Sequence, residues 1–371
     1  MANKLKEPGQ LLFAEWNIDL NKVPIEQLDH YIAVENYLKD DEELPPEATN
    51  LEKVIDYLEA FHHLYEVEAW ERAREILSIS LDTPINAELH GQLYIWGYYR
   101  EQIELYSSLL GKLSPTLDIM FLRGLGVAYR LLAVYKQAID YSQQSLALAR
   151  KLGDQAGEGA ALGNLGNAYL FLGDYHQAIE YHQQDLAIAC KLGDQAREGI
   201  ALGNLGIAYY YLGDYSKAID YYKAQLAFTP SIDRLHEGTA LGNLGIAYDS
   251  LEEYDQAIEY YQQHLVIARL IGDRAGEGRT LCNWGLTLFK IERYSEALKY
   301  SQTALKIVSE IGDRSVEANT FYLLAKLHQK LGHRDLAVEY CNQALAIATE
   351  LGIPLAKECQ ELKEKLLSEN T

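Results

Sequence analysis

The chain has no run of clustered lysine and arginine anywhere. Phosphate backbones are gripped by such clusters, so nucleic acid is disfavoured as a partner, and an anionic membrane surface for the same reason. No window approaches the roughly 18 apolar residues that a membrane-spanning helix needs. The opening stretch, MANKLKEPGQLLFAEW, has no apolar core of a secretory signal. Membrane insertion is therefore not expected, and the cytosol is the expected compartment. Cysteine is scarce: Cys190, Cys282, Cys341 and Cys359 form no CxxC pair and stand far apart. They read as reduced, small, buried side chains. The phosphate-loop signature GxxxxGK[ST] is missing. Proline nearly vanishes from the back of the chain, where Pro230 is the only one between Pro115 and Pro354.

Acid and apolar residues are plentiful. The formal charge is −21 and apolar residues make up 48% of the 371, enough for a continuous core. An acidic surface favours a basic or largely apolar partner.

A unit of 40 residues recurs. Ala161–Ile200 lies almost residue for residue over the segment that follows it. Ala138, Ala178, Ala218, Ala257, Ala297 and Ala337 recur every 40 residues with one step of 39. Tyr141, Tyr181, Tyr221, Tyr260, Tyr300 and Tyr340 keep step with them, as do Leu146, Leu186, Leu226, Leu265, Leu305 and Leu345. Self-similarity at this period predicts a stacked solenoid, in which each unit contacts only its neighbours. Within a unit, Ala178, Tyr181, Asp185, Leu186 and Ala189 fall at i, i+3, i+4 spacing, as do Leu162, Leu165, Gly166, Tyr169 and Leu172. Each unit is thus predicted to be a hairpin of two amphipathic helices.

The turns have their own chemistry. Gly173-Asp174 is placed between the helices of a unit, and Gly153-Asp154, Gly193-Asp194, Gly272-Asp273 and Gly312-Asp313 between units. Glycine closes a helix in the left-handed conformation and aspartate caps the next. The 39-residue step coincides with FTPSIDRLHEG, where Pro230 predicts an altered junction. Gly166, Gly206, Gly245 and Gly285 lie mid-helix, where glycine costs about 1 kcal/mol relative to alanine. The repeated cost predicts close approach of the paired helix, with Ala178 and its equivalents as the facing small residue.

Leu162, Leu165-Gly166, Tyr169, Gly173, Tyr175 and Ala178 resemble the tetratricopeptide repeat family. The 40-residue period and LGNLGNAY…LGDY…AIEY resemble its long-helix variety, seen in Leu-Gly-Asn repeat scaffolds of the Pins type and in kinesin light chains. The resemblance covers residues 120–350 and departs in the last unit. There Leu324-Ala325 replaces Leu-Gly, and His328 and Arg334 replace both tyrosines, as befits a terminal cap. It implies an all-α, right-handed superhelical solenoid with six units over 119–352 and a capping helix over 353–371. Upstream, Phe61–Leu77 and Leu93–Leu110 read as degenerate hairpins within 51–118, similar to the stretch before the repeat arrays of bacterial STAND-type signalling ATPases.

Residues 1–50 differ, with eleven acidic residues and four lysines. A helix is predicted over Ile25–Leu38, after Pro24, and an acidic linker over Lys39–Asn50. The apolar Leu11–Leu20 either pads the first repeat, the favoured reading, or serves as a detachable docking segment.

The resemblance implies that the first helix of each unit lines a concave, peptide-binding face. Its positions fall on Asn164, Asn204, Asn243 and Asn283, with Asn167 one turn further along. Such a ladder of amides can pair with an extended backbone, although asparagine is also common there in the family. Neighbouring positions vary between units, including Arg123, Arg130, Phe171, Ile200, Tyr210, Tyr211, Thr239, Asp249, Arg279, Phe289 and Lys290. Drift on a solvated face and tuning for a partner both produce such variation. The aromatic members, Phe171, Tyr210, Tyr211 and Phe289, suit a binding surface. A clamp for acidic chain ends is not expected, because Gly163 and Ile200 stand where basic residues would be needed and Arg123 meets Val127. The tyrosine stripe reads as packing.

Signals of catalysis are weak. His62-His63 has no metal-ligating partner at useful spacing, and no cofactor or metal is expected. Glu158, Glu198, Glu237, Glu277 and Glu317 recur early in the first helices, as favourable charges at helix N-termini. The expected function is a non-enzymatic adaptor, monomeric, holding a protein or peptide in the groove. A ligand-sensing regulatory module and a self-assembling structural protein are the alternatives.

Overall fold

The computed structural model describes residues 7–39, 45, 47–228 and 234–368. Pro230 with its junction, and half of the acidic linker, lie outside the described residues. The described residues form helices joined by short turns, with one isolated antiparallel bridge between Ser80 and Glu88. The chain divides into two compact units, residues 1–188 and 189–371.

The N-terminal unit opens with α1 (Glu7–Trp16), α2 (Ile25–Lys39), α3 (Ile55–Glu66), α4 (Trp70–Leu77), α5 (Leu89–Trp96) and α6 (Tyr99–Leu109). The apolar stretch after residue 10 is packed: Phe13 is buried beside Leu38 and Tyr57 in one core cluster. Gly9 meets the Tyr57 ring, and Trp16 donates its indole N–H to Glu75. Then come α7 (Pro115–Leu131), α8 (Tyr135–Leu152), α9 (Gln155–Leu172) and α10 (Tyr175–Leu192). The division between units falls inside α10.

The C-terminal unit continues with α11 (Gln195–Leu212), α12 (Tyr215–Phe228), α13 (Arg234–Ser250), α14 (Tyr254–Ile271), α15 (Arg274–Lys290), α16 (Tyr294–Ile311), α17 (Arg314–Lys330), α18 (Arg334–Glu350) and α19 (Leu355–Ser368). Helices pair as α11 with α12, α13 with α14, α15 with α16, and α17 with α18, while the first helix α15 touches both α13 and α17.

The turn chemistry is local and repeats. Gly153, Gly173, Gly193, Gly213, Gly272 and Gly312 all have positive φ. Asp154, Asp194, Asp273 and Asp313 accept from the backbone N–H three residues on, satisfying a donor that the first turn leaves free. The recurrent glutamates do more than complement a helix dipole. Glu158 accepts from Arg150 at 2.7 Å and Glu277 from Arg269 at 2.7 Å, each reaching back to the preceding helix. Glu277 also holds Arg274, which in turn reaches Glu310; Glu317, Arg314 and Glu350 repeat that pattern one unit later.

Packing explains the mid-helix glycines, with one correction. A methyl group on Gly166 would overlap the His182 ring, and on Gly206 or Gly245 the ring of Tyr222 or Tyr261. The glycine mainly makes room for a ring one turn beyond the recurrent alanine, not for the alanine alone. Where that ring is replaced by Ser142 or Ser301, the missing methyl would overlap the serine Oγ at 2.6 Å, with the Ala138 carbonyl at 3.3 Å or that of Ala297 at 3.4 Å beyond it.

The tyrosine stripe is stacked. Tyr141 lies on Tyr129, Tyr181 on Tyr169, Tyr221 on Tyr209 and Tyr260 on Tyr248, with ring centroids 5.3–5.4 Å apart. Leu288 takes the place of the next partner tyrosine, and Trp284, one turn earlier, stacks on Tyr300 at 4.2 Å. In the last repeat His328 stacks on Tyr340. There α19 closes the unit: Leu362 and Leu366 pack with Ala325, Ala337 and Cys341, and Arg334 donates to the carbonyls of Leu366 and Leu367.

Candidate functional site

A helix whose 3.6-residue turn aligns i, i+4 and i+7 shows one row of side chains on one face. In the C-terminal unit three first helices present such rows in equivalent register. They are Thr239, Asn243 and Ile246 on α13; Arg279, Asn283 and Leu286 on α15; Asn319, Leu323 and Lys326 on α17. The small and apolar neighbours, including Gly242, Leu244 and Gly245, are buried and hold the helices together. What remains facing outward is an amide column bordered by variable residues.

Two hollows lie along this face. The first, of about 150 Å³, is lined by the α13 row, by Arg279 and Asn283, and by His264, Asp273 and Thr280. His264 Nδ1 and Thr280 Oγ1 are 2.6 Å apart, and burial lowers the His264 pKa. The second, of about 520 Å³, is lined by Arg279, Asn283, Leu286, Asn319, Leu323 and Lys326, with Tyr322, Val316, Leu355 and Glu358 at its far side. Asn283 and Arg279 border both. Asn243, Asn283 and Arg279 are thus brought together.

The other sequence-predicted residues are placed differently. Asn204 is half-buried on α11 in the same unit. In the N-terminal unit, Asn164 and Asn167 are half-buried on α9, and Arg123 is exposed on α7. Phe171 is exposed, stacked beside Tyr135 at 6.4 Å, with the Arg130 guanidinium 5.4 Å from its ring centre. Tyr211 is exposed and meets Tyr210 edge to face. Tyr210 itself is tied to the next repeat by a 3.1 Å hydrogen bond with Ser250 Oγ. Phe289 is half-buried against Tyr294, with Lys326 Nζ 5.0 Å above its ring. Several of the variable positions therefore bind repeat to repeat.

Sequence reasoning passed over Asn319, Tyr322 and Lys326, because the last unit read only as a cap. The signal was present: Asn319 stands at the register of Arg279, and Lys326 at that of Leu286. Among the described residues no group of three histidine, cysteine, aspartate or glutamate side chains could hold a metal ion. No helix among them is long and apolar enough to cross a membrane.

Comparison with known proteins agrees with this fold. The tetratricopeptide repeat model matches residues 116–191, 198–269 and 276–350, more than half of the chain. Curated protein sequences give no match. Among solved structures, a STAND protein from Pyrococcus horikoshii with a tetratricopeptide repeat sensor aligns at TM-score 0.62 and 17% identity. That alignment covers 93% of this chain and 55% of the other, so this chain spans about half the length of that protein. The apo form of the quorum sensor NprR from B. thuringiensis aligns at TM-score 0.53 and 17% identity, over 86% of this chain and 100% of the other. A Rap protein complexed with Competence and Sporulation Factor aligns at TM-score 0.52 and 16% identity, over 85% and 99%. At these identities the likeness is one of fold. The matching family is typically a non-catalytic interaction scaffold, and no catalytic family is indicated. The repeats over 116–350 make this chain a member of the tetratricopeptide repeat family.

Proposed function

We propose that the chain is a non-enzymatic adaptor that binds a segment of a partner protein, or a free peptide, along the first helices α13, α15 and α17. The observation that carries this reading is the pair Asn243 and Asn283, on successive first helices, bordering one hollow with Arg279. A primary amide offers two N–H donors and a carbonyl acceptor, which matches the alternating donors and acceptors of an extended peptide. Asn204 would extend the ladder within the same unit, with Tyr211 as an aromatic anchor. In the other unit, Asn164 and Asn167 on α9 would offer the same amide chemistry, with Phe171 as its anchor. The net charge of −21 would speed encounter with a segment that is basic overall. The fold likeness to a Rap protein complexed with Competence and Sporulation Factor is in keeping with a bound partner.

The test is affinity capture from a cell extract by the full chain, beside a variant with Asn164, Asn204, Asn243 and Asn283 all changed to alanine. Loss of a specific captured protein, with the variant's helical content and melting intact, supports the groove. Undiminished capture removes it.

A second reading is favoured by the likeness to a quorum sensor and to a STAND repeat sensor: binding would switch the chain's conformation to regulate a partner. Small-angle scattering with and without the captured ligand separates the two. A change in scattering profile beyond the added mass supports a sensor, and an unchanged profile supports a rigid adaptor.

A further inference from the structure

In the C-terminal unit, five arginines are held by carboxylates, and Arg334 by the carbonyls of Leu366 and Leu367. Arg234, Arg269, Arg274, Arg293 and Arg314 each hold at least one glutamate at 2.6–3.0 Å. Arg279 departs from this pattern. Among the described residues its guanidinium has no carboxylate partner, only a long 3.4 Å contact from Nε to the Ala275 carbonyl of its own helix. Lys326 likewise has no carboxylate partner among the described residues and lies over the rings of Phe289 and Tyr322. Both cations line the same 520 Å³ hollow, together with the amides of Asn283 and Asn319 and the side chains of Leu286 and Leu323.

Neither cation is held by a carboxylate among the described residues, although the chain carries 54 acidic residues. Glu358 also lines the hollow, and burial, with the Glu358 carboxylate beside it, raises the Tyr322 pKa to about 12. An anion entering between Arg279 and Lys326 would take charge-assisted hydrogen bonds from both. The two asparagine amides would supply further donors, and the leucines an apolar wall beside it.

We propose that this hollow selects an acidic side chain, aspartate or glutamate within the bound peptide, flanked by an apolar residue that seats on Leu286 and Leu323. The proposal rests on the groove reading and names the chemistry of its ligand. A segment that is basic as a whole can satisfy both the long-range field and this local demand by carrying one acid at this position.

The full chain is panned against phage displaying random linear peptides fused to the coat protein through their C-terminal end, so that no displayed peptide ends in a free carboxylate. Enriched sequences are then synthesised with amidated ends and titrated by fluorescence anisotropy. The expected result is enrichment of aspartate or glutamate next to an aliphatic or aromatic residue. Arg279→Ala and Lys326→Met should each weaken binding about tenfold, the size expected for a hydrogen bond to a charged group. The methionine keeps the stem over Phe289 and Tyr322. Replacing the peptide's acid by its amide should cost as much with the native chain and little with the Arg279→Ala, Lys326→Met double variant. Enriched peptides that depend on Asn243 and Asn283 but carry no acid, or bind both cation variants undiminished, overturn the inference while the groove reading stands. Peptides indifferent to the asparagines and the cations alike, or no enrichment, overturn both.

Discussion

Lys290 Nζ lies 2.6 Å from Asp249 Oδ2, joining the ends of two first helices 41 residues apart. The same carboxylate accepts the buried Thr287 hydroxyl at 2.7 Å, so Asp249 holds α15 at two points. Neighbouring repeats use the same two positions with other chemistry: Arg130 over the Phe171 ring in one, Tyr210 hydrogen-bonded to Ser250 in another. Asp249→Ala should therefore destabilise the chain by about 1 kcal/mol: the Thr287 hydroxyl keeps the Asn283 carbonyl at 3.1 Å, but its shorter bond is lost and the Lys290 cation is left unpaired. Lys290→Ala alone should cost well under 1 kcal/mol because the ammonium is partly solvated. Urea unfolding of both single variants and the double measures the coupling. Additive effects would show that the contact does not join the repeats.

These pairs mark where sequence reading stopped. The period, the hairpins, the left-handed glycines and the aspartate caps were legible because each is decided within a few residues of its own segment. The partner of a mid-helix glycine was not. Gly166 faces His182 rather than Ala178 alone because two helices cross at an angle fixed by all their side chains together. The exchange of Trp284 for a stacking tyrosine was hidden for the same reason, since Leu288 occupies the expected place. Variation at Tyr210, Asp249, Phe289 and Lys290 read as drift or tuning for a partner. Much of it is complementarity between adjacent repeats, visible only once the register of touching helices is known. Arg279, Asn204, Asn243 and Asn283, named from the sequence, lie on first helices of one unit; Lys326 lies on the first helix of the last repeat, which reads from sequence only as a cap.

Gly245 and Tyr261 make the helix crossing testable. A methyl on Gly245 would overlap the Tyr261 ring, which is 2% exposed. Gly245→Ala should cost about 2–3 kcal/mol, as overpacking does, despite alanine's better helix propensity. The last repeat supplies the remedy, because Ala325 and Cys341 occupy the equivalent pair of positions. In a Tyr261→Cys background, Gly245→Ala should become neutral or stabilising by up to about 1 kcal/mol. Thermal melts of the four members of this cycle decide it. An equal cost in both backgrounds would mean that the ring is not what the glycine accommodates.

Glu277 should be the most sensitive of the recurrent turn glutamates. Its side chain is 8% exposed and is held by Arg269 and Arg274, each at 2.7 Å. Glu277→Gln keeps shape and some hydrogen bonding but leaves Arg269 without a carboxylate and Arg274 with Glu310 alone. It should cost about 1–3 kcal/mol, against under 1 kcal/mol for the same change at the solvent-exposed Glu296. Chemical denaturation in low salt compares them directly. Equal small losses would reduce the turn network to surface decoration.

His182 gives the chain a pH dependence of known sign. Its ring is fully buried against Gly166 and neither nitrogen has a hydrogen-bond partner among the described residues. Burial lowers its pKa from 6.5 to about 4, because the protonated ring would be desolvated without compensation. The unfolded chain therefore takes up a proton near pH 6.5 that the folded chain refuses until about pH 4. Stability from this residue is full above pH 6.5 and falls as the pH drops through that window, by about 2 kcal/mol at pH 5. The equivalent positions in the next repeats are Tyr222 and Tyr261, so a larger ring fits this architecture beside the same glycine. His182→Phe should remove the dependence without breaking the fold. Urea titrations at pH 7.5 and pH 5 should then show the native chain losing about 2 kcal/mol more than the variant. Parallel losses in the two proteins would mean that the folded chain protonates His182 as readily as the unfolded one.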